Sequence, residues 1–359
     1  MASTARRIDT AGKPASAGSP RGGRPRPAVR LRDVAELAEV STATASRALN
    51  GEPTISVPTR KRVERAASKL AYHVNPTARA LSLRRTSAIG FVVGDLTNPF
   101  FAQLARGVDA GLREDGYTYL LADLAGDASR QKDLVREMVN RHVDGLLVTV
   151  PHDPRVMRRS DVPIVAIDRC KGVPYVSCDN VAGGRLAAEH LIAGGYRRPG
   201  FLFADPSITP VSDRRIGFRQ AMAAAGNELR RNDEKQCASL GYDDAYVGAL
   251  QLLRAGVDSV FCVNDVMAAA VIAAALELGL SVPGDVGVVG YDDTPMAGWR
   301  TLNLTSVDQR TMDLGRAAAQ MILTLIREPD IPLASITLEP RLVVRESSRG
   351  PRARRPRRR

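Results

Sequence analysis

A chain of 359 residues is too long for one typical domain and long enough for two or three, and a 44% hydrophobic fraction supplies real cores. Its net charge of +12 is segregated, with +11 over residues 1–85, +7 over 349–359 and −6 over the 86–348 stretch between them. A basic head on an acidic body is the footprint of a nucleic-acid binder, and no apolar run is long enough to cross a bilayer as a helix.

Residues 1–28 are basic and of low complexity, ending in Arg21-Gly-Gly-Arg-Pro-Arg-Pro, and read as a disordered tail. They lack the apolar core of a secretory signal, so the expected location is cytoplasmic. A head is expected over 29–74. Val34, Leu37 and Ala38 fall at helical spacing, with Asp33 and Glu36 near the positive end of the helix dipole. Glu39-Val40 breaks that pattern, and Ser41 is a suitable N-cap for a second helix starting at Thr42. On this second helix Ala45, Ala48 and Leu49 make a small apolar face. Thr42, Ala43, Ser46, Arg47 and Asn50 make a face of short side chains and one cation, suited to a DNA major groove about 12 Å wide. Two short helices so arranged are a helix-turn-helix. A third helix opens at residues 55–60, with Val63, Ala67 and Leu70 closing a three-helix core. Residues 75–87 form a connector whose helix starts at Asn75-Pro76, since Pro suits the first helical position.

From Ala88 short apolar strands alternate with amphipathic helices. Strands are expected at 89–95, 117–123, 145–150 and 164–168, with helices at 99–115 and 128–141. A second series has helices at 182–194, 212–225, 244–255 and 266–279 and strands at 200–205, 259–264 and 286–292. A helix at 311–327 and an extended segment at 336–345 follow. Such alternation means parallel sheets covered by helices, and two series mean two doubly wound lobes in an α/β body. The first lobe is expected to take 88–180 and 308–335, the second 181–305 and 336–348, with an Arg-rich tail at 349–359. The ligand site of such sheets lies at the carboxyl ends of the strands. Asn98, Phe100, Phe101, Asp168, Arg169, Asn264, Asp265 and Asp292 follow strands, and Arg214 is placed at the start of a helix after one. Rings, carboxylates, amides and guanidinium together suit a sugar.

Enzyme motifs are missing. No G-x-G-x-x-G opens a helix after the first strand, no phosphate-binding G-x-x-x-x-G-K-[ST] occurs, and no G-x-S-x-G elbow is found. No cofactor is implied. Cys170, Cys178, Cys237 and Cys262 lack C-x-x-C spacing and no His sits at ligand spacing from them, so free thiols are expected and zinc is not.

The run from Leu31 to Asn50, then Tyr72-His73-Val74-Asn75-Pro76-Thr77-Ala78-Arg79-Ala80-Leu81 and Asn98-Pro99-Phe100-Phe101, closely resembles the lactose-repressor (LacI/GalR) family of bacterial transcription regulators. The resemblance covers roughly residues 30–347. It implies a ligand-controlled repressor whose homodimer reads a palindromic operator. Thr42, Ala43 and Arg47 would read base edges, while Ser46, Asn50 and the Arg60-Lys61-Arg62 cluster would hold phosphates. Arg79 and Leu81 would act from the connector, Leu81 as a minor-groove wedge. The body is similar to ribose-type periplasmic sugar-binding proteins, which assigns Asn98, Phe100, Phe101, Asp168, Arg169, Arg214 and Asp265 to an effector; Asp292 rests on the regulator family itself. The implied effector is sugar-like, with a purine or nucleoside as the alternative, since Phe rings also stack on bases. A sugar-binding transport protein, the remaining rival, does not account for the basic head. Two residues depart from the family pattern: Glu39 and Ala71 stand where Gly is usual.

Overall fold

The computed structural model describes residues 29–72, 85–149, 154–158, 160–332 and 334–350. The chain divides into two compact units, residues 1–78 and 79–359.

The first unit is built on helices α1 (Leu31–Leu37), α2 (Thr42–Leu49) and α3 (Val57–Lys69). Ser41 caps α2 by accepting the Thr44 N–H at 3.1 Å, and Ser56 caps α3 through the Thr59 N–H at 3.4 Å. The core is small: Val34, Ala35, Ala38, Ala45, Ala48, Val63, Ala66 and Ala67 are buried, with Leu49, Leu70 and Tyr72 packed around them. Leu37, expected in that core, is 43% exposed and Ala35 takes its place. An apolar stripe of 34, 35 and 38 also satisfies helical spacing, and Ala lets the three helices approach more closely than Leu does. Glu39 and Ala71 have φ of 51° and 50°. Both occupy the left-handed region, at about 1 kcal/mol or more each, because a Cβ crowds the carbonyl there.

The second unit contains two six-stranded sheets. The first lobe has β1 (Ala88–Val93), α4 (Pro99–Leu112), β2 (Thr118–Asp123), α5 (Gln131–Asn140), β3 (Gly145–Thr149), α6 (Pro154–Arg158), β4 (Ile164–Ile167) and β5 (Tyr175–Cys178). The second has α7 (Asn180–Ala193), β6 (Pro199–Phe203), α8 (Thr209–Ala224), β7 (Glu234–Gln236), α9 (Tyr242–Arg254), β8 (Ser259–Cys262), α10 (Asp265–Glu277), β9 (Gly287–Tyr291) and β10 (Thr305–Asp308). The chain then returns to the first lobe as α11 (Thr311–Arg327) and ends in β11 (Ile336–Leu338) and β12 (Arg341–Val343). Strand order is β11-β5-β4-β3-β1-β2 in one sheet and β12-β10-β9-β8-β6-β7 in the other. The two orders are one permutation used twice. Every pairing is parallel except β10 with β12. Central strands are buried throughout and mostly apolar because helices cover both faces. Helices α4 and α11 pack backbone to backbone: a Cβ at Gly107 would lie 2.4 Å from the Met312 carbonyl oxygen, so glycine is required.

The C-terminal segment departs from expectation. Residues 336–345 do not form one extended piece of the second lobe. β11 joins the first sheet beside β5 and β12 joins the second beside β10, so the lobe boundary falls after 338. The chain therefore crosses between lobes three times, near 179, 309 and 340, which ties the strand ends of both sheets to a common cleft. Among the described residues, no helix is long and apolar enough to cross a membrane.

Candidate functional site

The cleft is organised by two equivalent strand ends. Asp168 follows β4 and Asp292 follows β9, the same position in each sheet order. The Asp168 N–H donates to the Val176 carbonyl on β5 at 2.9 Å, and the Asp292 N–H to the Val307 carbonyl on β10 at 2.9 Å. Their φ values are 101° and 105°. Left-handed backbone at a non-Gly residue costs of order 1–3 kcal/mol, and both lobes carry it at the acid that ends the strand.

Arg214 joins these acids. It sits in the second turn of α8, not at the helix start, and is only 8% exposed. Its Nε donates to Asn180 Oδ1 at 2.8 Å and its Nη1 to the Val263 carbonyl at 2.5 Å. The guanidinium lies 3.6 Å from the centre of the Tyr291 ring and 3.8 Å from Asp292 Oδ1. Stacking and two hydrogen bonds hold it in one orientation before any ligand arrives. Gln309 donates to Asp292 Oδ1 at 2.6 Å, and Asn98 lies close enough to favour the ionised carboxylate. Asn98 Oδ1 also accepts the Phe100 N–H at 3.0 Å, capping α4.

Burial pushes the Asp168 carboxyl up to about 7, against the pull of Arg214. Burial raises Asp292 also, opposed by Arg214, Asn98 and Gln309. Asp265 is raised by burial and then by repulsion from Asp292. Cys178, whose Sγ lies 3.9 Å from the Tyr291 hydroxyl, is pushed by burial up to about 12 and stays a neutral thiol. The cleft therefore offers hydrogen-bond donors and acceptors and, in Cys178, no thiolate nucleophile.

The remaining expected residues divide. Arg169 reaches across to Asp213, its Nη2 2.7 and 2.6 Å from the two carboxylate oxygens. Phe101 is 7% exposed and belongs to the core of the first lobe, while Phe100 is half-buried, edge-on to it. Asn264 caps α10 through the Met267 N–H at 2.7 Å and donates to the Leu240 carbonyl at 3.1 Å, so both ends of its amide are engaged. Asp265 is fully buried and accepts from the Thr294 N–H and hydroxyl at 2.7 and 2.8 Å and from Ser306 at 2.6 Å. These hydrogen bonds of both residues lie within the second lobe. Asn180, Asp213 and Gln309 are the site residues that sequence reasoning missed, whereas Tyr291 was among the strand-end residues it placed at the cleft. The strand-end rule would have found Gln309 had β10 been read as a strand.

In the head, Thr42, Ala43 and Arg47 are exposed on α2, and Ser46 and Asn50 are half-buried. Arg60 is not free for phosphate: its Nη2 donates to the Gly51 and Glu52 carbonyls at 3.3 and 2.8 Å, bracing the α2–α3 loop. Lys61 and Arg62 stay exposed. Arg79 and Leu81 lie outside the described residues.

Comparison with known proteins bears on both units. Residues 30–75 match the family described as bacterial regulatory proteins, lacI family, and residues 188–348 match the periplasmic binding protein-like domain. The ribose operon repressor of Bacillus subtilis (strain 168) is 32% identical over 323 residues, covering 89% of this chain and 98% of that protein. Among solved structures, a complex of the transcriptional regulator CelR with cellobiose aligns at TM-score 0.67 and 33% identity, over 89% of this chain and 99% of that one. The lac repressor dimer bound to operator and the anti-inducer ONPF aligns at TM-score 0.78 and 25% identity, with the same coverage.

Proposed function

Because this chain belongs to the lacI family of bacterial regulatory proteins, we propose that it is a transcriptional repressor that binds operator DNA as a homodimer under the control of a small neutral sugar. The observation that carries the reading is one chain pairing two structures. One is a capped helix that presents Thr42, Ala43 and Arg47; the other is a cleft where Asp168, Arg214 and Asp292 converge. Two-fold symmetry of the dimer requires an approximately palindromic operator. Arg47 reads a base edge, with guanine as its best bidentate partner, and Lys61 and Arg62 hold phosphates. The chain works in the cytoplasm, where its operator lies.

In the cleft, Arg214 donates to hydroxyls of the sugar, and Asp168 and Asp292 accept from them. A sugar contacting both lobes favours their closed arrangement, and differential affinity for two arrangements is what allows it to change DNA affinity. The coupling passes through residues 75–87, where Leu81 wedges into the minor groove. A purine or nucleoside effector remains the second reading because Phe100 offers a ring. It draws less support than a sugar, since Phe101 is committed to the core and one ring does not sandwich a base. A thermal-shift screen of neutral sugars, sugar phosphates and nucleosides tests the assignment. A neutral sugar should raise the melting temperature of the body. Stabilisation by nucleosides alone would replace the sugar reading with the second one.

A further inference from the structure

The two lobes face each other with the same dipeptide in opposite sense. Asp168-Arg169 follows β4 in the first lobe, and Asp213-Arg214 lies on α8 in the second. Asp168 interacts with Arg214, and Arg169 closes the diagonal on Asp213 at 2.6 Å. The second pair is unequal: the Asp213 side chain is 10% exposed and that of Arg169 54%. Asp213 is thus the fixed member, and Arg169 is the long cation drawn across the gap to it. Arg214 is already held by Asn180 and the Val263 carbonyl, so Arg169 is the cation that could turn to an incoming anion.

We infer that Asp213 is a specificity-determining residue of the cleft: by claiming Arg169 from the opposite lobe, it withholds that guanidinium from anions and confines the site to uncharged polyols. The inference rests on the reading of the cleft as a sugar site and adds to it that phosphorylated sugars are refused. Asp213 needs no contact with the ligand to do this. With Asp213 uncharged, Arg169 is unclaimed. An anion near a released guanidinium in a partly screened cleft gains on the order of tenfold in affinity.

The test is calorimetric titration of the full chain with inorganic phosphate at constant ionic strength. It compares wild type, Asp213→Asn and the double variant Asp213→Asn/Arg169→Gln. The basic head and both tails are common to all three, so nonspecific phosphate binding cancels. Asp213→Asn is expected to bind phosphate about tenfold more tightly than wild type, and the double variant is expected to lose the gain. No gain in Asp213→Asn, or a gain that survives without Arg169, overturns the inference. If the amide variant does not fold, Asp213→Ser must give the same gain; failure of both to fold makes Asp213 a structural residue and overturns it too. Neutral sugars titrated alongside separate the two proposals. A wild type that answers to none of them sinks the sugar reading, while the phosphate comparison still decides the role of Asp213.

Discussion

Replacing Arg214 by Met keeps most of the side-chain volume over Tyr291 and removes the charge and both hydrogen bonds. Hydrogen bonds from a charged donor contribute about 1.5–3 kcal/mol each, and breaking a buried ion pair typically costs about 3–5 kcal/mol. With the donations to Asn180 and Val263 lost, a deficit of about 3 kcal/mol is expected in the body. For a domain of this size that lowers the melting temperature by roughly 6–12 °C. The deficit should grow with pH. Asp168 has its pKa raised to about 7 in the fold, so its contribution to stability is complete below about 4 and is lost as pH rises through about 7. Asp292 is raised in the same direction, and Arg214 opposes the rise in both. Wild type should therefore be more stable at pH 6 than at pH 8. Arg214→Met should lose about 1 kcal/mol more across that interval, since its ionised acids lack their counter-ion. Scanning calorimetry at both pH values measures this, and titration with the sugar found by screening should show at least about tenfold weaker binding. A deficit unchanged between pH 6 and pH 8 would refute Arg214 as the counter-ion of these acids.

Arg47→Ala should cost about 1–3 kcal/mol per half-site and relax preference at one base pair, whereas Lys61→Ala should weaken all sequences alike and flatten the salt slope. Uniform loss in both variants across a randomised duplex library would show that Arg47 does not read a base. Glu39→Gly relieves left-handed strain at φ 51° and should raise head stability by about 0.5–1 kcal/mol in thermal unfolding of the full chain; a loss would mean the Glu39 side chain holds the turn. Leu81→Ala should reduce both operator affinity and DNA bending, seen by gel retardation of circularly permuted duplexes. Unchanged bending would leave the connector a plain linker.

What could be read from sequence was local. Ser41 announces α2 because a hydroxyl before a small-residue helix satisfies its orphan N–H groups, and the cap is formed as expected. Long apolar strands such as β1 and β9 stand out because buried parallel strands have no polar face. The strands β5, β7 and β10 read Tyr-Val-Ser-Cys, Glu-Lys-Gln and Thr-Ser-Val-Asp, so their polar residues leave no apolar run like that of the equally short β4. Nor does anything within 336–345 reveal that its two three-residue strands pair in different sheets, since the partners lie more than 30 residues away in sequence. The site follows the same division. Asp168, Arg214 and Asp292 were legible from strand ends and family motif. Gln309 followed an unread strand, and Asp213 gains its role only when α8 brings it to Arg169 on the other lobe. Arg60 looked like a phosphate anchor because composition counts cations without showing which ones the backbone already occupies.

The central claim is that a small molecule in the cleft controls DNA binding. It is tested most directly by selecting bound duplexes from a randomised pool with the full-length protein, then measuring their retention against a panel of neutral sugars. Enrichment of one two-fold symmetric sequence is predicted, with one sugar changing its retention about fivefold or more in wild type and not in Arg214→Met. Retention that no sugar alters, or that a sugar alters equally in the Arg214→Met protein, would contradict it.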